Sequence, residues 1–172
     1  MNKPNPSKDP LANKRAFQNT LAKWFGKEGK AYPWRETTDP WAILVSEIML
    51  QQTQVKTVIP YFERWMKSFP TLKKLAQAQE SSVLKHWEGL GYYSRARNLK
   101  KTAQIILKNY SGKVPDSMDE ILKLPGVGRY TAGAILSIAF GQKVPVLDGN
   151  IKRVLSRYFL LKENGSNSQS EN

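Results

Sequence analysis

Apolar side chains recur at helical spacing along most of the chain. In the first such stretch, residues 11–26, they are Leu11, Phe17, Leu21, Trp24 and Phe25. The same period predicts further helices at residues 40–55, 61–69, 71–78, 81–88, 94–109, 118–124, 129–140 and 149–161. No hairpin signature or sustained alternation of apolar and polar residues competes with this pattern. The sequence therefore predicts an all-α fold made of many short helices.

Proline and capping residues set several of the predicted boundaries. Asp39 followed by Pro40 is a typical helix start, because an N-cap residue precedes a proline at the first helical position. Pro60 and Pro70 are expected to bracket the third helix, since proline interrupts a helix interior. Ser117 is expected to cap the seventh helix.

The length of 172 residues suits one domain, or one domain with a fragment of a second. We expect residues 11–161 to form that domain. The polar segments at residues 1–10 and 162–172 are expected to be disordered. Neither a signal-peptide core nor a run of about 18 apolar residues occurs, so a soluble cytoplasmic protein without membrane contacts is expected.

Charge is the strongest feature of the composition. The chain has 27 Lys and Arg residues against 14 Asp and Glu residues, and its formal net charge of +13 indicates a polyanionic partner. Residues 89–113 hold six basic residues and no acid, and residues 121–162 hold seven basic residues and one acid. Either stretch alone fits a solvated helix face as well as it fits a phosphate-binding surface. Two such stretches, set among tight turns, favour binding to a phosphate backbone.

Cysteine is missing from the sequence, and histidine occurs once. Disulfides, a thiol nucleophile and a cysteine-ligated zinc or iron–sulfur site are therefore excluded within these 172 residues. A zinc site of the ordinary type is not expected either. We expect this chain to bind no metal and no cofactor.

The segment Leu-Pro-Gly-Val-Gly at residues 124–128 lies between two predicted helices. Gly126 and Gly128 permit positive φ and let the backbone approach a ligand closely. The next helix then begins with free N–H groups and its positive dipole end beside Arg129, which suits one phosphate. An ordinary tight turn between helices explains the same segment without a ligand, and the bare motif favours that simpler interpretation.

Glu47 is the only acid between Asp39 and Glu63. Its helical neighbours are Ile43, Leu44, Leu50 and Gln51. A carboxyl beside apolar side chains is partly desolvated, which favours its protonated form and suits a general acid. An exposed Glu on an amphipathic helix is the alternative, and the residues alone leave the two interpretations equal.

Asp148 precedes Gly149, Asn150 and a helical run, so its simplest interpretation is a helix N-cap. A capping carboxylate stays ionised and can still take part in chemistry. One carboxyl kept neutral and one kept charged form the pattern of glycosidic-bond cleavage through an oxocarbenium-like state. The residues alone do not show that Glu47 and Asp148 meet in space.

Five motifs in order resemble the A/G-specific adenine DNA glycosylases, a family of the helix-hairpin-helix superfamily. They are Tyr-Pro-Trp-Arg at 32–35, Ser-Glu-Ile-Met-Leu-Gln-Gln-Thr-Gln-Val at 46–55, Trp-Glu-Gly-Leu-Gly-Tyr-Tyr-Ser-Arg-Ala-Arg-Asn-Leu at 87–99, the Pro-Gly-Val-Gly segment with its flanks at 120–134, and Val-Leu-Asp-Gly-Asn-Ile-Lys-Arg-Val-Leu at 146–155. The match runs from about residue 17 to residue 159. It implies a hairpin at about 118–140 that binds phosphate, a six-helix lobe and an incomplete second helical lobe.

Members of this family remove adenine mispaired with 8-oxoguanine or guanine in duplex DNA, after flipping the adenine out of the stack. By resemblance, Glu47 is the general acid that protonates the adenine ring. Asp148 is the carboxylate that stabilises the sugar cation or forms a transient covalent intermediate, and Tyr130 and Asn150 position these groups. The implied partner is double-stranded DNA with A:8-oxoguanine or A:G mispairs, bound by a monomer at the nucleoid.

Three further groups of residues match family positions that contact DNA. The adenine-pocket positions are Trp34, Arg35 and Leu50. The positions that wedge into the helix beside the lesion or touch 8-oxoguanine are Gln52, Thr53, Leu90 and Tyr92. The hairpin positions that bind the backbone are Gly126, Val127, Gly128 and Arg129.

Tyr130 distinguishes this chain from the endonuclease III branch of the superfamily. In that branch the corresponding residue is a lysine that attacks the sugar as an amine. A tyrosine offers no Schiff-base nucleophile, so the resemblance implies monofunctional hydrolysis that leaves an abasic site in an intact strand. The segment at residues 51–54 also disfavours lyase activity.

The chain departs from the family beyond its last predicted helix. Family members continue with four spaced cysteines that ligate a four-iron four-sulfur cluster, and then with a C-terminal domain that helps recognise 8-oxoguanine. We therefore expect a C-terminally truncated glycosylase in which Phe17, Trp24, Val154 and Phe159 are exposed. Its activity is expected to be weak or absent, and the alternative function is a non-catalytic DNA-binding remnant of the family.

Overall fold

The structure, a computed structural model, describes residues 14–159. Within that range it contains helices and turns but no strand, which confirms the predicted all-α class. The helices are α1 (Lys14–Glu28), α2 (Pro40–Leu50), α3 (Val55–Ser68), α4 (Leu72–Gln77), α5 (Glu80–Trp87), α6 (Ser94–Asn109), α7 (Met118–Ile121), α8 (Arg129–Phe140) and α9 (Gly149–Tyr158), with a 3-10 turn, η1, at Pro33–Arg35.

The chain divides into two compact units. Among the described residues, one unit combines residues 14–30 with residues 147–159. The other unit is Ala31–Val146, and it contains α2 to α8. The predicted disorder of residues 1–10 and 162–172, and the predicted helix ends at Leu11 and Leu161, lie outside the described residues.

Helix α2 lies at the centre of the larger unit, where it contacts η1, α3, α6 and α8. Eight of its eleven residues are buried, and a helix that is apolar on all sides is typical of a core position. Asp39 caps it as predicted, because its carboxylate accepts a hydrogen bond from Trp41 N at 3.1 Å. Buried Trp65 and Trp87 meet edge to face beside this core, with ring centroids 5.4 Å apart.

Three predicted boundaries in the larger unit are wrong by more than one residue. Helix α2 ends at Leu50 rather than at residue 55, because Gln52 has a φ of 54° and Thr53 N turns back to donate to Leu50 O. Helix α7 ends at Ile121 rather than at residue 124, since tight turns occupy the next residues.

Pro60 lies inside α3, although it was expected to precede a helix. The helix already begins at Val55, and its buried residues Val58, Phe62 and Trp65 recur at helical spacing on both sides of the proline. Packing of this face therefore outweighs the lost backbone donor. The predicted bounds of α6 and α8 are confirmed, including the end of α8 at Gly141 with a φ of 65°.

The smaller unit consists of α1 and α9 among the described residues, and neither helix has a buried residue. The rings of Phe17 and Tyr158 lie 4.5 Å apart, and Phe159 packs edge to face on Tyr158. Trp24 is 57% exposed and Val154 is 55% exposed. The expected exposure is therefore confirmed for Trp24 and Val154, whereas Phe17 and Phe159 are half-buried.

Candidate active site

Glu47 lies on α2, less than one turn before the helix ends at Leu50. The residues on either side of it along the chain, Ser46 and Ile48, are buried, while Glu47 itself is half-buried. Burial raises the pKa of its carboxyl from 4.5 to about 7, and the positive charge of Arg35 partly opposes this rise. The structure thus supports the desolvated carboxyl over the exposed one that the sequence left open.

The 3-10 turn η1 contacts α2 and carries two of the predicted pocket residues. Trp34 is buried between the ring of Tyr32, on which it stacks at 5.4 Å, and the ring of Phe62, which it meets edge to face at 5.4 Å. The guanidinium of Arg35 lies over the Tyr32 ring at 4.9 Å. Leu50 is half-buried at the C-terminus of α2. Trp34, Arg35 and Leu50 thus all belong to the unit that carries Glu47.

The hairpin joins α7 to α8 through the segment 124–128. Gly126 has a φ of 79°, as the motif predicts, whereas Gly128 is extended and caps α8. Val127 is buried and anchors the turn, while Arg129 is exposed at the start of α8. Tyr130 is 42% exposed on the first turn of the same helix.

Side chains from two other helices hold the hairpin by its carbonyl groups. Thr102 Oγ1 on α6 donates to Pro125 O at 3.0 Å. Gln51 Nε2, at the end of α2, donates to Gly126 O at 3.0 Å and to Thr131 Oγ1 at 3.3 Å. The hairpin is therefore tied directly to the helix that carries Glu47. Gln51 was not among the predicted site residues, because a motif match does not reveal a hydrogen bond between distant segments.

Two of the predicted DNA-contacting residues have unusual backbone conformations. Gln52 and Tyr92 have φ values of 54° and 47°, in the left-handed region that residues other than glycine seldom adopt. Both side chains are exposed. Thr53 is half-buried, whereas Leu90 is buried in the core with 5% exposure. The roles of all four residues stay predictions.

Arg95, one of the six basic residues counted in the stretch 89–113, does not lie on a solvated helix face. It is 7% exposed, and its guanidinium donates to backbone carbonyls instead of facing outward. A signal for this was present, since Arg95, Leu99, Thr102 and Ile106 share one face of α6 by helical spacing. The exposed basic residues of this stretch are Arg97, Lys101, Lys108 and Lys113.

Asp148 caps α9 in the smaller unit, as the sequence predicted. Its Oδ1 accepts a hydrogen bond from Ile151 N at 2.7 Å, and its Oδ2 accepts one from Asn150 Nδ2 at 3.3 Å. Arg153 Nη2 donates in turn to Asn150 Oδ1 at 3.2 Å. Asn150 is therefore placed to orient Asp148, whereas the meeting of Asp148 with Glu47 in one site stays a prediction.

A cavity of about 570 Å³ lies at the opposite end of α2 from Glu47, around Asp39, Trp41 and Tyr110, and none of the predicted site residues lines it. Among residues 14–159 no cluster of His, Cys, Asp and Glu could hold a metal ion. No helix in that range is both long and apolar enough to cross a bilayer.

Residues 45–172 match the HhH-GPD superfamily of base excision DNA repair proteins. The match covers more than half of the chain, including Glu47, the hairpin and Asp148. The chain belongs to this superfamily. The resemblance drawn from the five motifs is confirmed, since the chain is similar to proteins named adenine DNA glycosylase. It is 50% identical to the one from Buchnera aphidicola subsp. Baizongia pistaciae over 149 residues, and 46% identical to the one from Homo sapiens over 156 residues.

These HhH-GPD relatives are longer than the chain. The Buchnera alignment covers 86% of this chain and 42% of the relative, and the human alignment covers 86% of this chain and 29% of the relative. The chain therefore spans less than half the length of the relatives it matches.

Two solved HhH glycosylase structures are similar to the fold. A thermostable thymine-DNA glycosylase superposes with a TM-score of 0.81 at 31% identity, over 90% of this chain and 75% of that chain. Endonuclease III in a non-covalent DNA complex superposes with a TM-score of 0.75 at 25% identity, over 89% of this chain and 72% of that chain. The helix-hairpin-helix fold is thereby confirmed.

The iron–sulfur cluster that the HhH-GPD resemblance implies does not fit the residues present. Such a cluster is held by cysteine thiolates, and none of the 172 residues is a cysteine.

Proposed function

We propose that this HhH-GPD protein hydrolyses the N-glycosidic bond of adenine mispaired with 8-oxoguanine or guanine in duplex DNA. The observation that carries the proposal is Glu47, a carboxyl on a core helix whose pKa burial raises to about 7. The similarity to proteins named adenine DNA glycosylase supports the choice of base. Duplex DNA as partner is supported by the formal net charge of +13.

The proposed role of Glu47 is that of a general acid. At neutral pH a carboxyl with a pKa near 7 is about half protonated, and it can give its proton to a ring nitrogen of the flipped adenine. Protonation makes adenine a better leaving group, so the bond between the sugar C1′ and the base nitrogen breaks with both bonding electrons going to the base. Water then adds to C1′ and releases a proton, which leaves an abasic site and free adenine.

The proposed role of Asp148 is to stabilise the positive charge that develops on the sugar as the base leaves. Its oxygens accept hydrogen bonds from Ile151 N and Asn150 Nδ2, which hold the carboxylate in one orientation. The N-terminus of α9 favours the same negative charge. In this orientation the carboxylate can either stabilise the sugar cation electrostatically or form a transient covalent bond to C1′.

The adenine pocket is proposed to form around η1 and the end of α2. Stacking of Trp34 on Tyr32 and its edge contact with Phe62 fix the orientation of that indole before any base enters. Arg35 keeps a positive charge near Glu47 and limits the rise of its pKa. Because these side chains are already ordered, little binding free energy is lost in ordering them when a base binds.

The hairpin is proposed to bind one backbone phosphate at the N-terminus of α8, beside Arg129. The carbonyl oxygens of Pro125 and Gly126 already accept hydrogen bonds from the side chains of Thr102 and Gln51. Gln52, Thr53, Leu90 and Tyr92 are proposed to contact the DNA around the lesion. Leu90 is buried, so it would have to leave the core to make such a contact.

The reaction is proposed to stop at the abasic site. Tyr130 occupies the position at which a lyase would carry its amine nucleophile, and a phenol forms no Schiff base with the sugar. The protein would act as a monomer at the nucleoid, where its substrate lies.

Adenine release under single-turnover conditions tests the proposal. The protein is used in excess over a duplex with a labelled adenine strand opposite 8-oxoguanine, so that even slow release is detected as cleavage after alkali. We expect Glu47→Gln to abolish release while duplex binding stays within about twofold, because only the transferable proton is lost. Glu63→Gln, the same change at an exposed position of α3, is the matched control and should retain release.

Release by Glu47→Gln at the wild-type rate would overturn the assignment of the acid. Salt-sensitive binding of the duplex by wild-type protein, without an abasic product, would instead support the non-catalytic DNA-binding alternative.

A further inference from the structure

Arg95 is a buried cation that is bonded to backbone carbonyl oxygens from two separate segments. Its Nη1 donates to Ile48 O at 3.2 Å, to Met49 O at 2.8 Å and to Gln51 O, and its Nη2 donates to Leu90 O at 3.2 Å and to Gly91 O at 3.3 Å. The first three oxygens lie at the end of α2, and the other two lie in the loop before α6. One side chain thus joins the Glu47 helix to the 90–93 loop.

The carbonyls at the end of α2 need such a partner. The last turn of a helix leaves its C=O groups without intrahelical donors, and burial without a partner is unfavourable. A guanidinium meets this need for two segments at once, because its nitrogens diverge in a fixed plane. A lysine ammonium keeps the charge but is a single point, so it cannot reach both sets of carbonyls in the same geometry.

Each of the two joined segments contains a strained residue. Gln52 directly follows Gln51, and Tyr92 directly follows Gly91; the carbonyls of Gln51 and Gly91 both accept from Arg95. Gln52 and Tyr92 both have positive φ, and both side chains are exposed. A third such residue, Ser111, lies elsewhere in the described chain. Left-handed backbone in residues other than glycine persists only where surrounding contacts hold it, and such residues cluster at functional sites. The contacts that hold the backbone beside Gln52 and Tyr92 converge on the same guanidinium.

We propose that Arg95 is a positioning residue that locks the 51–53 turn and the 90–93 loop together, and so fixes Gln52 and Tyr92 relative to Glu47. This inference rests on the proposed function, which places Gln52 and Tyr92 at the DNA around the lesion. Arg95 itself touches neither DNA nor the reacting atoms. It acts by holding the DNA-contacting edge in register with the helix that carries the acid.

Arg95→Lys tests the proposal, with Arg64→Lys at an exposed position of α3 as the matched control. We expect Arg95→Lys to slow single-turnover adenine release at least tenfold, while the affinity for duplex changes less than threefold and the alkaline limb of the pH profile stays in place. Amide hydrogen exchange should accelerate at residues 51–54 and 89–93 before it accelerates elsewhere. Arg64→Lys should leave all of these quantities unchanged.

A second variant tests the lock without removing the arginine. Gly91 has a φ of 74° and open space at its Cβ position, so Gly91→Ala strains only the backbone of its own loop. If Arg95 couples the two segments, exchange in Gly91→Ala should also rise at residues 51–54. Gly112→Ala, at a φ of 76° in another turn, is the control and should affect only residues around 112.

Unchanged exchange at residues 51–54 in Gly91→Ala would overturn the proposal even if Arg95→Lys does not fold. Uniform acceleration of exchange across the whole chain in Arg95→Lys would also overturn it, since that result indicates only global destabilisation. If wild-type protein releases no adenine, the proposed function fails, whereas the exchange measurements still decide whether the lock exists.

Discussion

Single residues in this protein differ in how far their environment could be predicted from the sequence. The apolar neighbours of Glu47 predicted a desolvated carboxyl, and the structure bears this out with a pKa of about 7. The capping role of Asp148 was predicted from three consecutive residues and is confirmed. Arg95 belongs to the basic stretch 89–113, yet it is buried. Local pattern succeeds for caps and helix faces, whereas Arg95 depends on carbonyls more than 40 residues away in sequence.

The raised pKa of Glu47 predicts a pH-dependent stability. Below pH 4.5 the carboxyl is protonated in both folded and unfolded chains, so its titration does not change the free energy of unfolding. From pH 4.5 to about 7 the unfolded chain loses this proton while the folded chain keeps it, so the free energy of unfolding falls as pH rises. The accumulated loss is up to about 3 kcal/mol.

Glu47→Gln removes the titrating group, so it should gain up to about 3 kcal/mol of stability relative to wild type between pH 4 and pH 8. Urea unfolding of both proteins at these two pH values measures the gain. A stability difference that does not change with pH would show that the carboxyl is not desolvated in the folded protein.

At the scale of helices, some boundaries were predicted correctly and others were not. The bounds of α6 and α8 followed directly from periodicity and from Gly141, but α2 ended early and α3 ran through Pro60. In both cases tertiary contacts took part: Arg95 and the hairpin carbonyl of Gly126 bond to Gln51 beside the left-handed turn that ends α2, and the buried face of α3 packs on both sides of Pro60. Such contacts join segments far apart in the chain, which local propensity does not encode.

The hairpin offers a test at this scale through Gly126. An added Cβ would lie 3.2 Å from Asn98 Nδ2 and 3.3 Å from Asn98 Cβ, and the φ of 79° is strained for any other L-residue. Gly126→Ala should therefore lower the free energy of unfolding by about 1–3 kcal/mol and weaken duplex binding several-fold. Thermal or urea unfolding and a binding titration at fixed salt measure the two effects.

Gly128→Ala provides the comparison for stability. Gly128 is extended and has open space at its Cβ position, so its replacement should lower stability by less than about 1 kcal/mol, the loss expected for alanine at a helix N-cap. Equal stability losses in the two variants would contradict the assigned backbone roles of these glycines.

At the scale of the whole chain, composition and motif order were more informative than the local pattern of apolar and polar residues. The net charge of +13 indicated a polyanion, and five motifs in order identified the superfamily that the comparisons confirm. The packing of α1 and α9 was predicted less well, because Phe17 and Phe159 find a partner in Tyr158. The joint placement of Glu47 and Asp148 rests on the resemblance, since no local pattern reports the distance between residues a hundred positions apart.

The most direct test of the account is the pH dependence of adenine release by wild-type protein under single-turnover conditions, measured from about pH 4 to pH 9. If Glu47 is the acid, the rate should be half-maximal near pH 7 on the alkaline side and should fall about tenfold per pH unit above it. A rate that stays constant from pH 6 to pH 8.5, or that already declines near pH 4.5, would contradict the assignment of a buried, protonated Glu47 as the proton donor.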